Sequence, residues 1–208
     1  MSEKSLGDLF SLKELFLQKN VIKHLESSMF KNTLKLERLS LCDNQIETIQ
    51  TCTFLNLKCL RVLDLSSNFI TLLSDLNLFS GLTNCERLNL SSNQISIIDS
   101  FVFQPLHSLT ELNLSGNRLN LIKETTIFVG LENLKMLFLN DNQITFMNVN
   151  AFKKLKSLKF LNISANLIIE DSQVESLKQV MSQTYVKTKG IEYENDELIR
   201  IKSLRVSQ

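Results

Sequence analysis

The sequence predicts an α/β solenoid: a curved, right-handed coil of about seven repeats, with a parallel β-sheet on its concave face and a helix capping its C-terminal end. Three observations predict this fold. An asparagine recurs every 24 or 25 residues, each asparagine ends the same frame of spaced leucines, and a phenylalanine follows the first six of them after ten or eleven residues. A fixed period of this length is typical of chains that stack similar units.

Each repeat begins with a strand-like frame: Leu, two residues, Leu, one residue, Leu, two residues, Asn. Residues 60–68, Leu-Arg-Val-Leu-Asp-Leu-Ser-Ser-Asn, are a clean copy. In a strand, Leu-x-Leu places both leucines on one face and the residue between them on the other. Because one such strand cannot bury its leucines alone, we expect successive repeats to stack into a parallel sheet.

The recurring asparagine is predicted to satisfy backbone groups where the chain leaves each strand. Buried backbone N–H and C=O groups need partners, and a short amide side chain offers both an acceptor and donors. We therefore expect an asparagine ladder that bonds each turn to its neighbours. Its predicted members are Asn20, Asn44, Asn68, Asn93, Asn117, Asn142 and Asn166.

The recurring phenylalanine is predicted to fill the coil opposite the strand, as a stacked spine with one ring per turn. The longer repeats carry their extra residue between Asn and Phe, after Asn68 and after Asn117, which places the insertions on one face. The predicted spine consists of Phe30, Phe54, Phe79, Phe103, Phe128 and Phe152.

This frame resembles the leucine-rich-repeat superfamily over about residues 6 to 169. Units near 24 residues, with Ile-x-x-Ile/Leu after the asparagine and then Phe-x-x-Leu-x-x-Leu, are similar to its "typical" animal subfamily; Asn93-Gln94-Ile95-Ser96-Ile97-Ile98 with Phe103 is an instance. Toll-like receptor ectodomains and other extracellular repeat proteins belong to that subfamily. The resemblance implies ligand binding on the concave face, although the cysteine-rich caps usual in extracellular members are not seen in this sequence.

Three regions are predicted: a partial repeat or N-terminal cap over 1–11, seven repeats over 12–169, and a cap helix with a tail over 170–208. Ser172-Gln173-Val174-Glu175 is typical of a helix-starting capping box. Val174, Leu177, Val180 and Met181 then lie at helical spacing. This helix is expected to cover the last repeat, with partner binding as the alternative. From Thr184 onward, alternating residues indicate an edge strand or a loose tail.

The outward positions of the concave strands are predicted to hold the ligand-binding residues. Among them, Arg38, Asp64, Arg87 and Glu111 form a stripe of mixed charge. The alternative for this stripe is an ordinary solvated surface without a binding role. Met136, Phe138 and Phe160 predict an exposed apolar patch typical of recognition sites, unless the C-terminal cap folds over them. The candidates are Phe16, Arg38, Asp64, Arg87, Glu111, Met136, Phe138 and Phe160.

Three Asn-x-Ser motifs start at Asn89, Asn113 and Asn162. These are candidate glycosylation sites if the chain enters the secretory route. The alternative is that Leu-Asn-Leu-Ser is simply part of the repeat frame.

The composition and motifs argue against other functional classes. Net charge is +1, with 23 Lys+Arg against 22 Asp+Glu, so no basic stripe for nucleic acid is indicated. No apolar run approaches the roughly 20 residues of a membrane helix. Neither the four cysteines nor His24 and His107 lie at metal-ligand spacing. No catalytic set, metal or cofactor is predicted.

The function expected is therefore protein–protein recognition. The repeat subtype favours an extracellular receptor or adhesion ectodomain that binds a protein or microbial ligand. A complete intracellular scaffold is the alternative, favoured by the polar N-terminus and by cysteines with no evident pairing, although Cys52 and Cys59 share a repeat. The expected location is extracellular or cell-surface for a fragment of a longer protein, and cytoplasmic if Met1 is the true start. The oligomeric state stays open.

Overall fold

The computed structural model describes residues 9–168 and 171–188, and within them the chain winds into a solenoid of about seven turns. Each turn contributes one strand of three residues to a parallel concave sheet. The pairing is in direct register, so the central leucine of each strand lies beside the central leucine of the next, as Leu39 lies beside Leu63. The eight strands of this sheet are β1 (Glu14–Phe16), β3 (Arg38–Ser40), β5 (Val62–Asp64), β7 (Arg87–Asn89), β9 (Glu111–Asn113), β11 (Met136–Phe138), β13 (Phe160–Asn162) and β14 (Tyr185–Lys187).

The return side of the coil holds six strands of two residues each, which sequence analysis did not predict. They pair two by two, β2 with β4, β6 with β8 and β10 with β12. A two-residue strand is too short to show alternation in the sequence. Their bounds are β2 (His24–Leu25), β4 (Thr48–Ile49), β6 (Leu72–Leu73), β8 (Ile97–Ile98), β10 (Leu121–Ile122) and β12 (Phe146–Met147).

The repeated leucines form the core between the two sides of the coil. Leu63, Leu112 and Leu137, at the centres of three concave strands, are fully buried. Burial of each such side chain contributes about 1.5–3 kcal/mol of transfer free energy. Since the surface that covers each leucine belongs to neighbouring turns, the turns stabilise one another.

The asparagine side chains bond adjacent turns at the point where each concave strand ends. Asn117 Nδ2 donates to the carbonyls of Leu114 at 3.0 Å and Ser115 at 3.3 Å in its own turn, and to Leu90 at 3.0 Å in the turn before. Its Oδ1 accepts from the Ile95 N–H at 2.9 Å. The same pattern occurs at Asn44, Asn68, Asn93, Asn142 and Asn166.

Asn20 departs from the predicted ladder. Its amide donates only to the carbonyls of Leu17 and Gln18 in its own turn, and the side chain is exposed. The described residues contain no earlier complete turn for it to bond. The expectation of inter-turn bonds is therefore wrong for this position.

The residue before each ladder asparagine adopts a left-handed backbone conformation. Its φ lies between 52° at Ala165 and 65° at Gly116. This conformation costs a residue with a side chain about 1–2 kcal/mol. The asparagine amide offsets that cost by satisfying three carbonyl groups around the tight turn.

The phenylalanine rings are fully or almost fully buried. They pack in couples, each formed by the rings of two successive turns. Ring centroids lie 6.2 Å apart for Phe30 and Phe54, 5.9 Å for Phe79 and Phe103, and 5.3 Å for Phe128 and Phe152. A new couple starts in each repeat that carries an extra residue between Asn and Phe. The spine is thus organised in pairs of turns.

The two longer turns each place a glycine against the backbone of the turn before. Gly81 has φ +93°, and a Cβ there would lie 2.3 Å from the Leu55 carbonyl oxygen. Gly130 has φ +95° and approaches Gln104 in the same way. Only a residue without a Cβ fits such a contact, so the extra residue and the glycine occur together.

The C-terminal cap is a helix followed by the eighth strand. Helix α1 (Asp171–Val180) begins one residue before the predicted N-cap Ser172, and it packs against a 3₁₀ helix at Val149–Lys154. On the predicted apolar face, Leu177 and Met181 are buried, whereas Val180 is 37% exposed. The helix is thus anchored by one edge of that face.

The chain after α1 is more regular than the loose tail that the sequence left open. Strand β14 pairs in parallel with β13, and the Tyr185 N–H donates to the Lys159 carbonyl at 2.9 Å. The Gln173 side chain accepts from the Met147 N–H at 3.1 Å on the return side. The alternating residues from Ile199 onward lie outside the described part of the chain.

Replacing Asn117 by Ala is expected to lower the free energy of unfolding by at least about 2 kcal/mol, because carbonyl and N–H groups in two turns lose their partners. Urea denaturation followed by circular dichroism measures the change. Asn20→Ala is the matched control and is expected to cost less than about 0.5 kcal/mol, because its amide bonds only its own exposed turn. Equal losses in the two variants would contradict a stabilising inter-turn ladder.

Candidate binding surface on the concave sheet

The direct register aligns the solvent-facing side chains of the concave sheet in three rows. The leading row, formed by the residue just before each of the first seven strands, contains Lys13, Glu37, Arg61, Glu86, Thr110, Lys135 and Lys159. The central row, formed by the first residue of each strand, contains Glu14, Arg38, Val62, Arg87, Glu111, Met136, Phe160 and Tyr185. The trailing row, formed by the third residue of each strand, contains Phe16, Ser40, Asp64, Asn89, Asn113, Phe138, Asn162 and Lys187.

Charges in the N-terminal half of the leading row pair across adjacent strands. Lys13 Nζ lies 2.8 Å from Glu37 Oε1, and Arg61 Nη1 lies 3.1 Å from Glu86 Oε1. The hydrogen bond from Lys13 and its positive charge hold the pKa of Glu37 below its usual value, and the pKa of Lys13 is raised in turn. These exposed pairs contribute little to stability, but they leave this half of the row nearly neutral.

The predicted charged candidates of the central row lie on the second, fourth and fifth strands of the sheet. Arg38 is exposed and its Nε lies 3.5 Å from Glu14 Oε1. Arg87 and Glu111 are half-buried and stand beside each other in register. Arg38, Arg87 and Glu111 of the predicted stripe thus stand beside opposite charges, whereas Asp64 lies between Ser40 and Asn89 in its own row.

Asp64 and the three sequon asparagines share one local structure. Asp64 Oδ1 accepts from the backbone N–H of Ser66 at 3.0 Å and from its hydroxyl at 2.7 Å. Asn89, Asn113 and Asn162 accept from the serine two residues later in the same way. In the turns that carry it, this acceptor oxygen has a structural role that an acid and an amide fill equally well, although Phe16 and Phe138 occupy the same position without one. The Asn-x-Ser motifs are thus explained by turn structure, and glycosylation stays a prediction.

Aromatic rings gather at the C-terminal end of the sheet. The Phe160 ring lies 5.3 Å from that of Phe138 and 5.9 Å from that of Tyr185, measured between centroids. Phe160 is only 6% exposed. The expectation of an exposed ring is wrong for Phe160, because β14 adds a further strand and covers it. Phe138 and Met136 are half-buried.

The remaining aromatic candidate lies at the other end of the sheet. Phe16, on the first strand, is 57% exposed. It has no strand on its N-terminal side within the described residues. Its ring and the covered ring of Phe160 therefore occupy opposite ends of one surface with very different access to solvent.

Two lysines at the C-terminal end of the leading row escaped the sequence analysis, which considered only the other two rows. Lys135 and Lys159 are both exposed and stand on adjacent strands. A signal for them was available: residues 133–168 contain five lysines and a single acidic residue, Asp141. In residues 9–132, by contrast, 11 basic and 12 acidic residues nearly cancel.

All four cysteines are free. Cys85 takes the place of a frame leucine, and burial raises the pKa of its thiol to about 12. Cys52 and Cys59 do not pair, and Cys59 is exposed at a shallow cleft that Arg61 and Glu86 also line. Reactivity is therefore expected at Cys59 and not at Cys85.

Clusters of metal-ligating side chains and membrane-spanning helices are both absent from the described residues. No group of three His, Cys, Asp or Glu side chains in residues 9–168 and 171–188 is placed to hold a metal ion. Nor does any helix in those ranges have the length and apolar character required to cross a bilayer. His24 lies on the return side, with Nδ1 2.8 Å from Thr48 Oγ1.

The return side carries exposed apolar side chains as well. Leu72, Ile97, Leu121 and Phe146 are each between 42% and 55% exposed, in four consecutive turns. They come from the short strands and point away from the core. This surface provides a natural control for experiments on the concave sheet.

Comparison with known proteins gives a consistent result. The family model described as "Leucine rich repeat" matches residues 10–70, 60–119 and 124–168. No curated protein is significantly similar in sequence.

Solved structures share the fold. TLR13 in its complex with ssRNA13 aligns with a TM-score of 0.81 and 27% identity, over 91% of this chain and 27% of TLR13. An internalin of Listeria monocytogenes, InlF, aligns with a TM-score of 0.65 and 26% identity, over 91% of this chain and 50% of the internalin. An LRR protein of Leptospira interrogans aligns with a TM-score of 0.64 and 25% identity, over 90% of this chain and 51% of that protein. The chain thus spans between about a quarter and a half of these proteins.

Replacing Phe160 by Ala is expected to lower the free energy of unfolding by about 3–5 kcal/mol, because a buried ring leaves a cavity. Thermal and urea unfolding measure the loss. Phe16→Ala is the control at the exposed end and is expected to change stability by less than about 1 kcal/mol. Similar stability of the two variants would show that β14 does not cover Phe160 in solution.

Proposed function

Since the chain belongs to the leucine-rich-repeat family, we propose that it is a non-catalytic recognition module that binds a partner protein on its concave sheet. The family generally supplies interaction scaffolds rather than enzymes. One observation carries the proposal. The inward positions of the sheet repeat the same leucines from turn to turn, whereas the three outward rows change from paired charges to asparagines to lysines and rings.

That division of the strand supports recognition for a physical reason. The inward leucines and the asparagine ladder satisfy the main requirements of stacking, so most outward residues can vary without loss of the fold; the covered Phe160 is the exception. Their side chains lie in register on a sheet whose backbone hydrogen bonds are already made. Such a surface can present a fixed pattern of charge and apolar area with little loss of conformational entropy on binding.

We further propose an extracellular setting, as part of a receptor or adhesion ectodomain that binds a protein or microbial ligand. The 24-residue subtype and the likeness to TLR13 and to an internalin support this setting. The TLR13 structure contains RNA. For this chain a protein partner is supported by the near balance of 23 basic and 22 acidic residues, because binding to phosphates in general requires a basic surface.

Blocking each side of the solenoid with tryptophan tests this proposal. Val62→Trp with Glu111→Trp adds bulk to the central row, and Thr71→Trp with Asn120→Trp adds the same bulk to exposed positions of the return side. Purified chains are screened against an array of secreted, cell-surface and cytosolic proteins. We expect the concave variant to lose at least tenfold in affinity for the partners found, and the return-side variant to bind as the wild type does.

The opposite pattern, with binding lost only in the return-side variant, would contradict a concave binding site. Failure of every protein to bind, together with binding of single-stranded RNA, would contradict a protein partner. Circular dichroism of both variants verifies that the fold is retained.

A complete intracellular scaffold is a second candidate, and the exposed free thiol of Cys59 favours it. Exposed unpaired thiols are more usual in a reducing compartment. Mass spectrometry of the native protein separates the two settings. The extracellular proposal expects a glycan on Asn89, Asn113 or Asn162. Three unmodified asparagines together with a reduced Cys59 would contradict it and support the scaffold.

A further inference from the structure

We propose that the C-terminal end of the concave sheet is a docking site for an acidic protein segment, whose carboxylates bind Lys135 and Lys159. This inference rests on the proposed function and names the chemistry of the partner. We call these two residues the lysine pair. The apolar floor beside them consists of Met136, Phe138 and Tyr185.

The leading row itself shows the geometry that brings such side chains together. Successive residues of this row reach ion-pair distance twice, at 2.8 Å between Lys13 and Glu37 and at 3.1 Å between Arg61 and Glu86. The lysine pair occupies equivalent positions three turns beyond Arg61 and Glu86. The Lys159 N–H donates to the Lys135 carbonyl at 2.9 Å, as the Glu37 N–H donates to Lys13 at 2.7 Å.

The lysine pair has two like charges where the earlier positions have opposite ones. Neither ammonium group forms an ion pair with any residue in the described part of the chain. The equivalent neighbours on either side are Thr110 and Thr184, whose hydroxyls donate to the carbonyls of Glu86 and Leu158. The pair therefore forms a local positive site on an otherwise neutralised row.

The complement of this site is a carboxylate. Glu37 and Glu86 show that a carboxylate beside this row reaches lysine and arginine at hydrogen-bonding distance. Adjacent strands are about 4.8 Å apart, so two carboxylates about 5–7 Å apart match the pair. Alternating acidic residues of an extended segment have this spacing, and the residues between them would rest on the apolar floor.

The ring geometry favours a protein segment over a single-stranded nucleic acid. Stacking of bases requires an open ring face. Phe160 is covered, with Phe138 at 5.3 Å and Tyr185 at 5.9 Å. Met136, Phe138 and Tyr185 are each half-buried, so the floor offers a limited apolar area that suits aliphatic and aromatic side chains of a peptide.

The test uses the full chain and a fluorescein-labelled peptide, Glu-Tyr-Glu-Glu-Tyr-Glu, followed by fluorescence anisotropy at low salt. We expect Lys135→Glu with Lys159→Glu to weaken binding at least tenfold. Lys153→Glu with Lys154→Glu makes the same change of charge at exposed positions of the 3₁₀ helix, and we expect affinity within about twofold of wild type. Equal weakening by both variants, or failure of the wild type to bind, would overturn the proposal.

Exchanging the charges gives a second, independent readout. The peptide Lys-Tyr-Lys-Lys-Tyr-Lys is expected to bind the Lys135→Glu, Lys159→Glu variant at least tenfold more tightly than it binds the wild type. The Lys153→Glu, Lys154→Glu variant has the same net charge and is expected to show no such gain, which separates the site from overall charge. Binding of an oligothymidylate at the lysine pair in place of the acidic peptide would overturn the choice of partner.

The chain has an acidic stretch of its own, with Glu192, Glu194, Asp196 and Glu197. Replacing these by the corresponding amides in the full chain separates it from an external partner. We expect unchanged peptide affinity. A tenfold gain would show that this stretch competes for the lysine pair, and would overturn the assignment to a partner protein.

These outcomes are distinct from failure of the proposed function. If array partners are lost with Val62→Trp and Glu111→Trp but retained with Lys135→Glu and Lys159→Glu, the concave site stands and the acidic docking site does not. If the concave tryptophans have no effect, the proposed function itself fails.

Discussion

The structure depends on one recurring interaction, the bonding of an asparagine side chain to the backbone of two adjacent turns. Each concave strand is only three residues long, and the chain must leave it through a left-handed residue such as Ser92 or Ala165. The amide satisfies the carbonyls exposed by that turn and accepts an N–H from the previous turn, so the strand ends stay fixed relative to one another. Direct strand register follows, and with it the burial of leucine on leucine.

The same register organises the surface. Because equivalent residues of successive turns stand side by side, a sequence change at one position of the frame acts on the same row each time. Opposite charges at neighbouring positions of a row form ion pairs, as with Lys13 and Glu37. Like charges at neighbouring positions form a local site of one sign, as with Lys135 and Lys159. The chemistry of a concave row can thus alter along the solenoid without any change in the core beneath it. This separation of core and surface makes the fold suited to recognition.

The sequence predicted the parts of the structure that repeat, and it also located the cap helix, whose apolar residues lie at helical spacing. The leucine frame, the rings and the asparagine bonds recur, so chemistry argued for one turn holds for the others. The cap strand at Tyr185–Lys187 lacks the frame, with Val186 alone in an inward position, so the sequence left an edge strand and a loose tail as alternatives there. The error about Phe160 has the same cause, because its burial depends on that strand. The prediction of inter-turn hydrogen bonds for Asn20 failed for the converse reason. The frame is present there, but the described residues contain no complete preceding turn to accept those bonds. The excess of lysine near the C-terminal end of the repeats indicated the lysine pair, but both residues lie in the leading row, outside the two rows from which the candidates came.

The pairing of the phenylalanine rings has a consequence for how the chain can change in length. Rings meet within couples, and each of the two later couples opens in a longer turn whose glycine contacts the turn before. For the later couples the repeating unit is thus two turns, with a period of 49 residues from Asn68 to Asn117. Duplication or loss of such a block keeps every ring with its companion and every glycine against its neighbour. Gain or loss of a single turn would separate a couple and shift the glycine contacts. Growth of this solenoid in evolution, or in protein engineering, is therefore easiest in steps of two.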